Sequence, residues 1–227
     1  MYMPIILLPK QNKTSSIFSF CWIIAMAFCC AGCMVQRADK TPFVKGYYYD
    51  KDGEKVEGYL RLKPSTYTLF YTSPGYVEYR RKEAGGSRKA LNPDKTKSFV
   101  IGTDTFGIVR HFRIKGFRGI YNQDFAQIVI KGSMSLYIHW TRIYPANTNF
   151  WSPPDDYIRY IIDNGSNRGL CLYKLNFSNH KKELAALFSD VPELQERILA
   201  GELKGDNKMD FLILKRFIKL YNQEIDG

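Results

Sequence analysis

This chain has little with which to build a disulfide or hold a metal. Of its five cysteines, Cys21, Cys29, Cys30 and Cys33 crowd into one N-terminal apolar run, and Cys171 is the single thiol in the remainder. An intramolecular disulfide is therefore excluded from the body. Cys171 lies in Leu170-Cys171-Leu172-Tyr173 and reads as a small buried hydrophobe. Histidine is equally scarce, with His111, His139 and His180 alone in 227 residues and no HxH or HExxH spacing. The chain also lacks a Gly-x-Ser-x-Gly elbow, a phosphate-cradling glycine loop and a dinucleotide fingerprint. No catalytic residue, metal or cofactor is implied. Acidic residues are outnumbered 22 to 33, yet the cations come in short clusters such as Arg80-Arg81-Lys82 and Lys215-Arg216. With no long block of one sign, they describe a solvated surface.

What stands out is the N-terminal run Ser15 to Cys33, SSIFSFCWIIAMAFCCAGC. Lys10 and Lys13 flank it, Ile17 to Phe28 form its apolar centre, and Ala31-Gly32 are small residues beside a cut site. That is the three-part pattern of a secretory signal. The ending resembles the lipobox of bacterial lipoproteins, in which Cys33 would carry a diacylglycerol on its sulfur and become the new N-terminus. It departs from that pattern in having Cys30, not an aliphatic residue, three positions before Cys33. The alternative is an uncleaved transmembrane anchor, because Thr14 to Gln36 is uncharged and close to the roughly 20 residues that span a bilayer. Either way, the remainder is tethered to a membrane.

Removal of residues 1–32 leaves 195 residues, enough for one domain with a helical appendage. That portion keeps 31 basic residues against 22 acidic ones, a net of +9, because the leader holds two lysines and no acid. Behind an export signal, such a surface favours anionic headgroups or an anionic envelope polymer, and nucleic acid is not an expected partner.

Residues 33–42 read as a tether, 43–176 as a β-rich domain, and 177–227 as a helical segment packed on it. The expected class is α+β: a mostly antiparallel sheet, as a sandwich or open barrel, followed by two to three helices. Asp50-Lys51-Asp52-Gly53 between Tyr-rich runs predicts a hairpin, since Gly accepts the positive φ of a tight turn. Further strands are expected at 67–72, 76–81, 97–101, 106–114, 125–131, 136–140, 157–162 and 170–175. From Ser178 the apolar period becomes helical, giving helices near 179–188, from Val191, and at 208–222. Asp190 and Glu193 have the spacing of a capping box around Pro192.

The hairpin GYYYDKDGEKVEGYL, PDKTKSFVIG, FAQIVIKGSMSLYIH, LFSDVPELQERI and IKLYN together cover most of residues 45–222. In this order they resemble a group of envelope proteins common in Bacteroidota. The resemblance implies a β-rich body with C-terminal helices and brings no catalytic residue.

Two side-chain groups carry the remaining chemistry. His111 and His139, with Asp104 or Asp124, would make a metal or hydrolytic trio if neighbouring strands aligned them. The blander expectation is two surface-facing histidines, with His180 solvated beside Lys181 and Lys182. Trp151, Asp155, Asp156 and Tyr157 would make a ligand site, the rings stacking on a sugar beside the carboxylates, although the acids also read as a simple turn after Pro153-Pro154. Tyr47-Tyr48-Tyr49 must place rings on both faces of a strand. The expected function is a membrane-anchored, non-catalytic interaction or structural module of the bacterial envelope, on the outer membrane. The alternatives are a glycan-binding accessory protein and, behind it, a hydrolase.

Overall fold

A computed structural model describes residues 41–67, 72–113, 120–143, 155–165, 169–173, 178–203 and 208–227. The lipid-attachment candidate Cys33 and the stacking candidate Trp151 lie outside them, as do residues 68–71 of one expected strand.

The Asp-Gly hairpin is present. β1 (Val44–Asp50) pairs antiparallel with β2 (Lys55–Lys63). Gly53 sits at φ +90°, and Asp50 Oδ1 accepts the Glu54 N–H at 2.9 Å. Pro64 ends β2. Just past it, β3 (Ser65–Tyr67) pairs with β4 (Thr72–Ser73), matching Tyr67 with Thr72. Tyr67 and Thr72 thus belong to two paired strands and not to the single strand expected over 67–72. β5 (Tyr76–Arg80) returns along β2, and β6 (Lys89–Leu91) pairs with β5.

β7 (Thr96–Ile101), β8 (Asp104–Arg113), β9 (Ile120–Ile130), β10 (Ser135–Ile143), β11 (Asp155–Asp163) and β12 (Leu170–Tyr173) follow as an antiparallel meander. β1 pairs with β7, so the sheet runs β12-β11-β10-β9-β8-β7-β1-β2-β5-β6. β3 also pairs in parallel with β10, matching Ser65 to Thr141. This pairing curls the sheet into a mixed half-barrel, the open-barrel form of the expected class. β9 pairs with β10 only between Gln127–Ile130 and Leu136–Ile138. Where β9 departs, β3 takes its place beside β10.

A 3₁₀ turn at Ser178–His180 leads into α1 (Lys181–Leu187), α2 (Pro192–Leu199) and α3 (Lys208–Asp226). The capping box does not form. Val191 is the N-cap of α2 and makes no side-chain cap bond, while Asp190 accepts the Tyr221 hydroxyl at 3.0 Å. Tertiary pairing with α3 outcompetes the local cap. His180 is half-buried and bonded through Nδ1 to Glu183, rather than solvated.

Pro42–Gly227 forms one compact unit with three apolar clusters. Strand alternation decides membership. On β11, Ile162 packs against the helices with Leu136, Leu172, Leu184, Phe188, Leu214 and Phe217, whereas Ile161 joins Val109, Phe112, Ala126 and Cys171 on the other face. The third cluster lines β1, β2 and β5–β9 through Tyr48, Leu60, Val77, Leu91, Phe99, Phe106 and Phe125. Each such side chain contributes about 1.5–3 kcal/mol on burial. α3 buries Leu214, Phe217, Ile218 and Tyr221 but leaves Leu212 56% exposed, so its broad apolar face is covered on one side. No helix among the described residues is long and apolar enough to cross a membrane.

Candidate functional site

The sheet splits where β9 leaves β10, and ladder hydrogen bonds cannot be made there. Side chains fill the gap. Asp124 Oδ2 meets His139 Nε2 at 2.8 Å, while Asp124 Oδ1 accepts the backbone N–H groups of Gly75 at 2.8 Å and Phe125 at 2.7 Å. The Thr141 hydroxyl lies 3.2 Å from His139 Nδ1. Ser65 Oγ bonds the Trp140 carbonyl at 3.2 Å and Thr141 Oγ1 at 3.3 Å, and stands 3.5 Å from His139 Nε2. Phe112 sets its ring edge-on against the imidazole at 5.0 Å. One carboxylate thereby ties β9 to the β4–β5 turn and to β10.

The ingredients are those of a nucleophilic triad, but the geometry is not. A relay needs hydroxyl and carboxylate on opposite ring nitrogens, and Ser65 and Asp124 share Nε2. Thr141 addresses the other nitrogen, yet Thr141 and His139 are 0% exposed and Asp124 is 1% exposed. These side chains are out of contact with solvent. The cluster is a polar clamp whose members satisfy one another, as buried polar groups must.

The trio anticipated from His111, His139 and an aspartate is half assembled. Asp124 meets His139, whereas His111 is exposed, and Asp104 sits at the β7–β8 turn opposite Ile101. The separation has a backbone cause. His111 is the one non-glycine at positive φ among the described residues, +49°. That left-handed residue breaks the two-residue alternation, so Val109 and Phe112, three apart, both enter the same cluster while His111 turns out. His139 overturns the surface-facing expectation. No signal of it lay in the sequence: Ser135, Tyr137 and Thr141, which alternate onto the same face as His139, include no aliphatic residue. Among the described residues, no three His, Cys, Asp or Glu side chains gather as a metal site.

The second candidate group takes a different form. Asp155 and Asp156 begin β11 rather than a turn, and Asp156 holds Arg142 of β10 in a two-pronged pair at 2.8 and 3.1 Å. Tyr157 is half-buried beside them, with the Arg159 guanidinium 5.9 Å from its ring centre. Arg159, 3% exposed, stands opposite His139 in the β10–β11 ladder. Cys171 lies on the same side, and burial pushes its thiol up to about 12, against a smaller lowering pull from Arg159.

Two accessible features lie elsewhere. An open groove of about 500 Å³ is bounded by Pro74, Gly75, Tyr76, Arg88, Ala90 and Asn92. Beside it, the outward face of β1, β2 and β5 carries aromatic rings between cations. Tyr47 and Tyr49 pack edge-on at 5.6 Å, and Lys55 Nζ lies 4.3 Å over the Tyr47 ring while bonding Glu57 at 2.8 Å. Phe43 is covered by Arg80 at 4.0 Å and Arg61 at 4.5 Å, and Arg61 is held by Glu78. The sequence showed the tyrosine run, but not the ladder that sets these rings among basic residues from other strands. Comparison with protein-family models, with curated proteins and with solved structures gives no match.

Proposed function

We propose that this chain is an envelope lipoprotein: a non-catalytic interaction module held at a membrane by an acyl group on Cys33. One observation carries the non-catalytic part. The hydroxyl–imidazole–carboxylate cluster of Ser65, Thr141, His139 and Asp124 is buried to 1% exposure or less and spent on joining strands. Contact with a partner is then left to the surface of the body, which bears aromatic rings and an excess of cations. The tether rests on the apolar run closing at Ala31-Gly32-Cys33. Several acyl chains, each methylene contributing about 0.8 kcal/mol, would make the attachment permanent on a cellular timescale.

The test is Cys33→Ser in a bacterial host fed labelled palmitate. The parent chain is expected in the membrane fraction and labelled, and the variant unlabelled and unprocessed. Label and fractionation unchanged by the substitution, or the full-length parent free in the cytosol, would overturn the lipoprotein reading.

A further inference from the structure

We infer that the outward face of β1, β2 and β5 is a docking strip for an acidic polysaccharide. The inference rests on the proposed envelope location for access to such a polymer, and on the ladder for the site itself. Residues directly opposite in adjacent strands share a face. Lys45 of β1 faces Tyr59 of β2, and Tyr59 faces Arg80 of β5, so one phenol ring lies in a row between two cations. The next row along sets Tyr47 opposite Glu57.

Charge complementarity selects an anionic occupant. The acids on this strip are already used, Glu57 on Lys55 and Glu78 on Arg61. Lys45 and Arg80 have no carboxylate within ion-pair distance among the described residues, and the Arg80 guanidinium is held in place by stacking on Phe43 at 4.0 Å. Lys45 is near enough to Glu57 to help lower its pKa but makes no contact pair with it, so two cations without a carboxylate contact, in one row with a phenol ring, suit a ligand that offers a carboxylate and a flat C–H surface together. The negative face of a phenol ring attracts the partly positive C–H groups of a sugar ring, and its hydroxyl reaches the sugar hydroxyls. A uronic acid residue has both parts. A lipid surface fits less well. Tyr47, Tyr49 and Tyr59 are half-buried, the Phe43 ring is covered by Arg61 and Arg80, and none of the outward positions 45, 47, 49, 55, 57, 59 or 61 is Leu, Ile, Met or Trp, whereas membrane-seated faces insert such side chains.

The experiment uses the full chain purified in detergent, run in affinity electrophoresis through gels containing polygalacturonate or neutral dextran. Retardation is expected with polygalacturonate and not with dextran. Lys45→Glu and Tyr59→Ala should each weaken it by about ten-fold, equivalent to ~1.4 kcal/mol. Lys182→Glu, which makes the same charge change at an exposed position on α1, should leave retardation nearly unchanged. If Tyr59→Ala loses its near-ultraviolet dichroism, Lys45→Glu alone decides. Absent retardation overturns the inference, as does equal weakening by Lys182→Glu, which would reduce the effect to bulk basicity. So does tighter binding to phosphatidylglycerol vesicles or to poly(dT) than to polygalacturonate. These outcomes leave the Cys33 tether standing, because fractionation of Cys33→Ser is read independently of polymer binding.

Discussion

Asp124 is the side chain on which most local order converges. Its carboxylate satisfies two backbone N–H groups and one imidazole, all out of water. Removing one partner from a buried, hydrogen-bonded set leaves the others desolvated, which costs more than the bonds themselves contributed. Asp124→Ala is therefore expected to destabilise the body by about 3–5 kcal/mol, read as a lower urea midpoint at unchanged slope. Ser65→Ala removes only bonds of 3.2 Å or longer, and about 1 kcal/mol or less should be lost. Equal losses in the two variants would show that the carboxylate is not the centre of the clamp. Cys171 gives the pH counterpart. Its folded-state pKa of about 12 lies above the ordinary 9.0, so the native state keeps the proton when the unfolded chain has lost it. The resulting stabilisation is full below pH 9 and falls away as pH rises from 9 toward 12. Cys171→Ala should flatten that alkaline loss, and in the parent protein the thiol should resist dithiobis-nitrobenzoate at pH 8 until denaturant is added. The sequence located this thiol in an apolar run, which suffices to predict an inert group. It named His139 and Asp124 as possible partners but not Ser65, which is 74 residues from His139 with no local pattern joining them.

At the scale of elements, α3 does more than cover one end of the sheet. Asn222 acts as a short strand edge: its Nδ2 donates to the Met134 carbonyl at 2.9 Å, and its Oδ1 accepts the Met134 N–H at 2.7 Å. Met134 is fully buried at the β9–β10 turn, and a side chain on Gly132 would strike the Asn222 amide. The helix and the hairpin are fitted to each other in polar detail as well as by apolar contact. Asn222→Ala is expected to cost about 1–3 kcal/mol, and Asn222→Asp at least as much, because a carboxylate would face the Met134 carbonyl with no proton to donate. Thermal melts of both variants decide this; a variant indistinguishable from the parent would show that water replaces the amide without cost. The helical period and the Asp-Gly turn were readable from sequence because each is set by neighbouring residues. The Asp190–Glu193 cap and the turn expected at Asp155-Asp156 were misread for the converse reason. Asp190 is claimed by Tyr221, 31 residues away, and Asp156 by Arg142 across the ladder.

At the scale of the molecule, helices and sheet share one apolar cluster, in which Leu136, Ile162 and Leu172 of three strands meet Leu184 of α1, Phe188 at its C-cap, and Leu214 and Phe217 of α3. The helices and this face of the sheet bury their apolar side chains against each other. Unfolding followed by helical dichroism and by aromatic near-ultraviolet signals should therefore give one coincident transition. An earlier loss of the helical signal would show that residues 178–227 are a separately stable appendage.

Local pattern alone marked the strand-rich body, the C-terminal helices, the scarcity of metal and disulfide chemistry, and the apolar run ending at Cys33. Those properties follow from composition and from periods of two and 3.6 residues, which short stretches of chain carry alone. Folding was needed to bury His139 while His111 turns out, to bring β3 across to β10, and to set Tyr59 between Lys45 and Arg80. Such outcomes depend on register and on which face of a curled sheet is covered, and these are set by contacts between residues far apart in the chain.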